Sequence, residues 1–233
     1  MFDYINYLYG IGLGPGDPEL ITLKALRIIR ECDVLILPDS GRARSILEGI
    51  LTPEELCAKQ LIEVQIPMSP DSINIEDCYE RAVNIIWPLL DRNLMVGYLT
   101  IGDPTLYSSF AEIKKRLEFN GYRTKIINGI PSFLSVASVC NQILVKGNDE
   151  LHINSLLSDS LGTLIYMKNK SGISSLLTKL SSKSENESIN VFGASNASLP
   201  SQKVYLSLDK LLSDPPDSYY STIIVKTNNE ISE

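Results

Sequence analysis

The chain has 233 residues, of which 44% are hydrophobic, and a formal net charge of −7. That apolar content fills one large core or two small ones and excludes a disordered chain. With no dense basic surface and no run of about 18 apolar residues, neither non-specific nucleic-acid binding nor a membrane span is expected.

The opening, "MFDYINYLYG", has no basic n-region and no cleavable apolar run, so a cytoplasmic protein is expected. "YINYLYGIGLG" predicts a first strand running into a glycine loop. "ELITLKALRIIREC" has its apolar residues at Leu20, Leu23, Leu26 or Ala25, Ile28 and Ile29, the spacing of a helix face. Asp17 or Thr22 can cap its start, and Pro18 fits a first turn. "DVLILP" predicts a strand covered on both faces, "ARSILEGIL" and "TPEELCAKQLI" helical pieces, and "IEVQIPM" another strand. "NIEDCYERAVNIIWPLLDRN" predicts a helix that meets Pro88 near its end. "LMVGYLTI" then gives a strand, and "SSFAEIKKRLEFNG" a helix closed by Gly121. The repeated βαβ pattern favours a parallel sheet with flanking helices.

Past Gly121 the strands come closer together, with fewer long helices between them and Ser, Asn and Lys in the gaps. "YRTKIINGIPSFLSVASVC", "GTLIYMK", "ISSLLTKLSSKS", "SINVFGAS", "QKVYLSLDKLL" and "YYSTIIVKT" predict a second α/β domain on a mixed sheet, and "NNEISE" a frayed tail. The boundary is expected near residues 121–128, dividing the chain into 1–124 and 125–233. The four cysteines, Cys32, Cys57, Cys78 and Cys140, form no CxxC, and the one histidine, His152, follows "KGNDEL" on an expected surface segment. No metal site is expected from them, and the thiols are expected reduced and mostly buried.

Three glycine bends carry the functional signal. The first is "GIGLGPGD", Gly10 to Asp17. A dinucleotide loop needs G-x-G-x-x-G after a strand. Counted from Gly10 the sixth position is Pro15, and from Gly12 it is Asp17. Proline has no donor and an acid repels a pyrophosphate. The loop therefore suits a neutral or cationic ligand, which disfavours a nicotinamide-dependent oxidoreductase. The second bend is "IGDPTLYSSF". Asp103 sits where a strand meets a helix; it either caps that helix with Pro104 in the first position or accepts from a ligand in the crevice beyond the strand ends. The third is "NGIPSFLSVASV", where Gly129 breaks a strand and Pro131 and Ser132 start a helix.

Taken in order, GPGDPELITLKA, GDPTLYS and NGIPSF resemble the tetrapyrrole (corrin/porphyrin) methylase family across nearly the whole chain. "LTIGDPTLYSSF", "IYMK", "ASLP" and "YYSTIIVK" are most similar to the members that methylate C20 of precorrin-2 or cobalt-factor II in cobalamin synthesis. The resemblance implies a two-domain fold with S-adenosylmethionine in a cleft between the domains, S-adenosylhomocysteine as product, a tetrapyrrole substrate and a homodimer. It places the cofactor against Pro15, Gly102, Asp103, Leu106, Pro131, Ser132, Met167 and Ala197. Diphthine synthase, a further relative, fits "YSSF" and "ASLP" less well. Uroporphyrinogen-methylating relatives carry an aspartate where this chain has Pro38, with Asp39 one step on. The chain departs from the family at Asn128 and Pro131, where Pro-Gly-Ile-Thr/Ser is usual, and at Asn196, where an arginine is frequent. These departures keep open a cofactor-binding relative without turnover.

A reduced tetrapyrrole has an electron-rich meso carbon, so the reaction needs alignment and exclusion of water more than a strong base. No single catalytic residue is nominated: Asp39, Tyr107 and the substrate's own carboxylates are possible proton acceptors. A polycarboxylate substrate on an acidic protein needs local cations. Arg42 and Arg44 in "SGRARS" are the candidate substrate residues, with Lys168 and Lys170 beside Met167.

Overall fold

The structure is a computed structural model that describes residues 7–38, 40–66, 75–154, 162–167, 172–185 and 187–227. Asp39, Lys168, Lys170 and the "NNEISE" tail lie outside the described residues. The chain divides into two compact units, Met1–Pro131 and Ser132–Glu233.

The first unit is a five-stranded, all-parallel sheet. Its strands are β1 (Tyr7–Gly12), β2 (Val34–Leu37), β3 (Gln60–Glu63), β4 (Val96–Thr100) and β5 (Arg123–Ile127), in the order β3-β2-β4-β1-β5. Helices α1 (Leu23–Glu31), α2 (Ser40–Ile50), α3 (Pro53–Cys57), α4 (Ile75–Asp91) and α5 (Phe110–Phe119) connect them. Successive side chains of a strand face opposite sides, and the core divides accordingly. Leu8, Val34, Ile36, Val96 and Tyr98 pack with Ala82 and Ile86 of α4 and Phe110 and Ile113 of α5. Tyr9, Ile11, Leu35, Leu37 and Leu99 pack with Ile28 and Ile29 of α1 and Ile46 and Leu47 of α2. Both faces are covered, which is why β1, β2 and β4 are continuous apolar runs. Each large side chain buried there contributes about 1.5–3 kcal/mol.

The second unit carries a mixed sheet, β6 (Leu151–Asn154), β7 (Thr163–Met167), β8 (Ile189–Ser195), β9 (Lys203–Tyr205) and β10 (Ser221–Thr227), in the order β6-β7-β10-β8-β9. Only the β6–β7 pair is parallel. Its core joins Leu164, Tyr166, Val191, Ile223 and Val225 to Leu176, Leu177 and Leu180 of α7 (Ile173–Ser184) and Leu211 of α8 (Leu208–Ser213). Helix α6 (Ser132–Val139) packs against β8 and β10.

Several expectations are corrected. The segment "YRTKII" belongs to the first sheet, because β5 pairs with β1 from Tyr7↔Arg123 to Ile11↔Ile127, and the division between the units falls at Pro131 rather than near 121–128. The third strand begins at Gln60, inside the stretch expected to be helical, and ends at Glu63. Pairing with β2 sets its register, overriding the apolar pattern of "IEVQIPM". The helix expected from Glu19 is split: Pro18–Leu20 is a 3-10 turn capped by Asp17, and α1 starts after its own cap, Thr22. Leu23, at the open end of α1, is therefore exposed, while Ala25, Ile28 and Ile29 carry the buried face. His152 stands within the edge strand β6, its Nε2 3.1 Å from Glu150 Oε2.

Candidate functional site

Strands β4, β1 and β5 are neighbours, so their carboxyl ends open onto one edge of the sheet. Each ends in one of the three glycine bends. Leu13 N–H donates to Thr100 O at 2.8 Å. Beyond it, Gly14 and Gly102 pair reciprocally: Gly102 N–H donates to Gly14 O at 2.7 Å, and Gly14 N–H to Gly102 O at 3.3 Å. Gly102 needs φ +78° to make this turn, a region that side-chained residues avoid. The third bend closes on the other two. A Cβ added to Gly12 would lie 2.5 Å from Gly129 N and 2.6 Å from Gly102 O, so backbone meets backbone with no room for a side chain.

Asp103 ties the second bend to the third. It is 5% exposed. Its Oδ1 accepts from Thr105 N–H at 2.8 Å and from the Thr105 hydroxyl, and its Oδ2 accepts from Gly129 N–H at 2.9 Å and Asn128 Nδ2 at 3.2 Å. Burial alone would raise its pKa, but the hydrogen bonds from Thr105, Gly129 and Asn128 outweigh it and hold the carboxyl below its ordinary range. No helix starts at Pro104. Residues 104–107 form a turn and α5 begins at Phe110, so the helix-capping role considered for Asp103 is replaced by a link between bends. A carboxylate has about four lone-pair positions, and all four are filled from within the chain.

Thr22 joins the start of α1 to the third bend. Its Oγ1 accepts from Ala25 N–H at 3.1 Å, capping α1, and donates to Asn128 O at 3.2 Å. The departure at Asn128 therefore has a local use: its side-chain amide supplies a donor to Asp103 that a proline lacks. Gly49 of α2 meets Pro18 of the 3-10 turn that follows the first bend, an added Cβ lying 2.6 Å from Pro18 Cγ. Arg42 and Arg44 follow β2 in the early turns of α2, at the same carboxyl edge of the sheet. Arg42 is half-buried. Arg44 is exposed and lies 3.6 Å from Glu63 at the end of β3, an exposed pair of little energetic weight. Pro15 is buried, while Leu106 and Pro131 are half-buried.

The sequence offers Tyr107 as a possible proton acceptor, and its backbone gives it a further distinction. It sits at φ +49° with 48% of its surface exposed. For a residue with a side chain, the left-handed region costs about 1–2 kcal/mol. The chain holds it there from both sides: Leu106 N–H donates to Asp103 O, the Tyr98 hydroxyl meets Ser109 Oγ at 2.8 Å, and Phe110 N–H donates to Ser108 Oγ.

In the second unit, Met167 ends β7 and Ala197 follows the end of β8, and these strands flank the start of β10, where Thr222 pairs with both Met167 and Ala194. Both residues are buried. Ser132 begins α6, and Ser135 of that helix meets the Ser198 hydroxyl beside Ala197. Asn196 (φ +49°) and Ser198 (φ +66°) are left-handed on either side of Ala197. Asparagine tolerates that region better than arginine, which gives the departure at Asn196 a backbone reason. A buried hydroxyl network, overlooked in the sequence, supports this turn: Ser195 meets Ser221 at 3.0 Å, Ser221 donates to Ser218 O, and Ser218 donates to Asn196 Oδ1 at 2.9 Å. Its only signal was the serine content of "GASNAS" and "PPDSYYS".

The three bends, Gly12–Asp17, Gly102–Tyr107 and Asn128–Pro131, contain no lysine or arginine and two aspartates. Their glycine backbone and negative charge fit a neutral or cationic ligand and not a phosphate. Among the described residues no group of three or more His, Cys, Asp or Glu is placed to hold a metal ion, and no helix is long and apolar enough to cross a membrane.

These features define a two-unit α/β protein with a glycine-lined rim at the carboxyl edge of a parallel sheet. The family model of the Tetrapyrrole (Corrin/Porphyrin) Methylases matches residues 7–211, and the chain belongs to that family. It is 30% identical over 229 residues to a probable cobalt-precorrin-2 C(20)-methyltransferase of Methanocaldococcus jannaschii, covering 95% of this chain and 96% of the relative. It is 24% identical to the cobalt-precorrin-2 C(20)-methyltransferase of Salmonella typhimurium, covering 97% and 98%. A solved uroporphyrin-III C-methyl transferase from Thermus thermophilus, complexed with S-adenyl homocysteine, shares the fold with a TM-score of 0.63 at 18% identity, over 94% of this chain and 97% of that one.

Proposed function

We propose that this protein transfers a methyl group from S-adenosylmethionine to C20 of precorrin-2 or its cobalt-containing form, in the cytoplasm and as a homodimer. The observation that carries the reading is the closure of the three bends into one cation-tolerant, glycine-lined rim. Similarity along nearly the whole length of the Methanocaldococcus relative supports the choice of substrate. In the proposed site the rim residues Pro15, Gly102, Leu106 and Pro131 contact the cofactor. Asp103 acts through the bends it ties together and through its negative charge, which favours a sulfonium and an ammonium over water.

When bound, the cofactor supplies an electrophilic methyl whose C–S bonding pair leaves with sulfur as S-adenosylhomocysteine forms. The chain's part is alignment. Glycine backbones permit close approach, Pro15 and Pro131 have no N–H to donate and so meet the ligand through their rings alone, and the apolar Leu106 excludes water. The electron pair for the new C–C bond comes from C20, and the proton it carries passes to an acceptor after the bond forms.

Calorimetry with S-adenosylhomocysteine is expected to show one site per chain. Incubation with methyl-labelled S-adenosylmethionine is expected to label precorrin-2 or cobalt-precorrin-2. Absence of binding heat would defeat the cofactor assignment, and binding without transfer to either tetrapyrrole would defeat the substrate assignment.

Arg42 and Arg44 are proposed to hold substrate carboxylates. Changing both to Ala is expected to raise the KM for the tetrapyrrole about tenfold or more, the loss of one charge-assisted contact or two, while S-adenosylhomocysteine affinity stays within about twofold. An unchanged KM would remove them from the site.

A further inference from the structure

The proposed function leaves one part of the substrate without a partner. Carboxylates have the two arginines, but a tetrapyrrole macrocycle, even when reduced, also presents a wide apolar face, and water must leave that face on binding. Of the residues in the three bends, only Tyr107 is aromatic. It follows directly on Leu106, a proposed cofactor contact, and it stands 48% exposed at the carboxyl edge of the sheet.

Its backbone is the second, independent sign. Glycine adopts φ +49° without penalty, and asparagine with little; tyrosine does neither. Strain of this kind persists where the surroundings over-determine it, and it concentrates where ligands are held. Here the surroundings are visible. The turn from Asp103 O to Leu106 N fixes the residue on one side, and the bonds of Ser108 and Ser109 to Phe110 and Tyr98 fix the other. A tyrosine ring has only two side-chain torsions, so little freedom is lost when it meets a flat partner.

Resting on the proposed function, we infer that the ring of Tyr107 is the platform against which the tetrapyrrole face packs. Aromatic packing supplies the attraction, since ring–ring contacts contribute beyond the area they bury. The role belongs to substrate positioning; the hydroxyl takes no part in it.

Three variants test this with the full-length protein. Tyr107→Gly removes the ring and relieves the backbone, and is expected to melt at or above the wild-type temperature. Its S-adenosylhomocysteine Kd by calorimetry is expected within about twofold of wild type. Its cobalt-precorrin-2 Kd, measured by anaerobic equilibrium dialysis, and its KM are expected to rise at least about tenfold. Tyr107→Phe is expected to keep both within about threefold, and Tyr107→Leu to lie between. An unchanged cobalt-precorrin-2 Kd in Tyr107→Gly would overturn the inference. So would a Tyr107→Phe enzyme with a large loss of kcat at constant KM, which would assign the hydroxyl to proton acceptance. Wild-type protein that binds S-adenosylhomocysteine but neither tetrapyrrole would overturn the proposed function itself and this inference with it.

Discussion

Replacing Asp103 with Ala is expected to destabilise the first unit by about 3 kcal/mol, because it strands the buried donors of Gly129, Asn128 and Thr105. Denaturant unfolding followed in the first unit measures it. S-adenosylhomocysteine affinity should fall by at least tenfold, since the second and third bends lose their tie. Asp103→Asn is expected to be milder: its oxygen can still accept from Thr105, while its amide faces the Gly129 and Asn128 donors. The pH dependence separates charge from shape. The folded carboxyl ionises below its ordinary range, near 3.9 for an unperturbed aspartate. Its contribution is therefore complete above about pH 4 and disappears as acid protonates the folded form. The gap in melting temperature between wild type and Asp103→Asn should be constant above that pH and close below it. A gap that persisted undiminished in acid would show that the lost interaction is not the charge.

Gly129→Ala is the second large effect. No positive φ is required there; what Gly129 requires is space, because an added Cβ would drive into Gly102 O and crowd Gly12. The neighbours are backbone and cannot rotate away, so the strand ends must part, at a cost of about 3 kcal/mol or more. Gly121→Ala is the matched control. Gly121 has φ +85° but nothing within 4 Å of the added carbon, so only backbone strain of about 1 kcal/mol is expected. Calorimetric melting should rank the two clearly. In Gly129→Ala, S-adenosylhomocysteine binding should fall further than stability alone accounts for. Equal losses in the two variants would mean that the bends are not pressed together.

The sequence made the first unit legible where local rules and burial agree. Apolar runs such as "DVLILP" mark strands covered on both faces, and Thr22 caps a helix as its position before a periodic apolar face predicts. The bends were visible as three glycine-proline joints, and the structure brings all three to one edge. The partners of Asp103 were not visible, because Gly129 is 26 residues away and only strand order makes them neighbours. Strand β5 joins the first unit rather than the second for the same reason: its place is set by pairing with β1, and "RTKII" carries no mark of that. Strand β6, four residues at the sheet edge, is too short and too exposed for an alternating pattern to register. Asn128 and Asn196 depart from the motifs the chain resembles, and hydrogen bonding and backbone conformation give each a reason that composition cannot express.

The reciprocal Gly14–Gly102 pair has a consequence for turnover. Two amide–carbonyl bonds clasp the first and second bends before any ligand arrives, so an incoming molecule finds a finished cradle and loses little affinity to immobilising these loops. The same rigidity applies on departure. On the proposed function, S-adenosylhomocysteine would leave by breaking its own contacts with this rim, without either of these two bonds having to open.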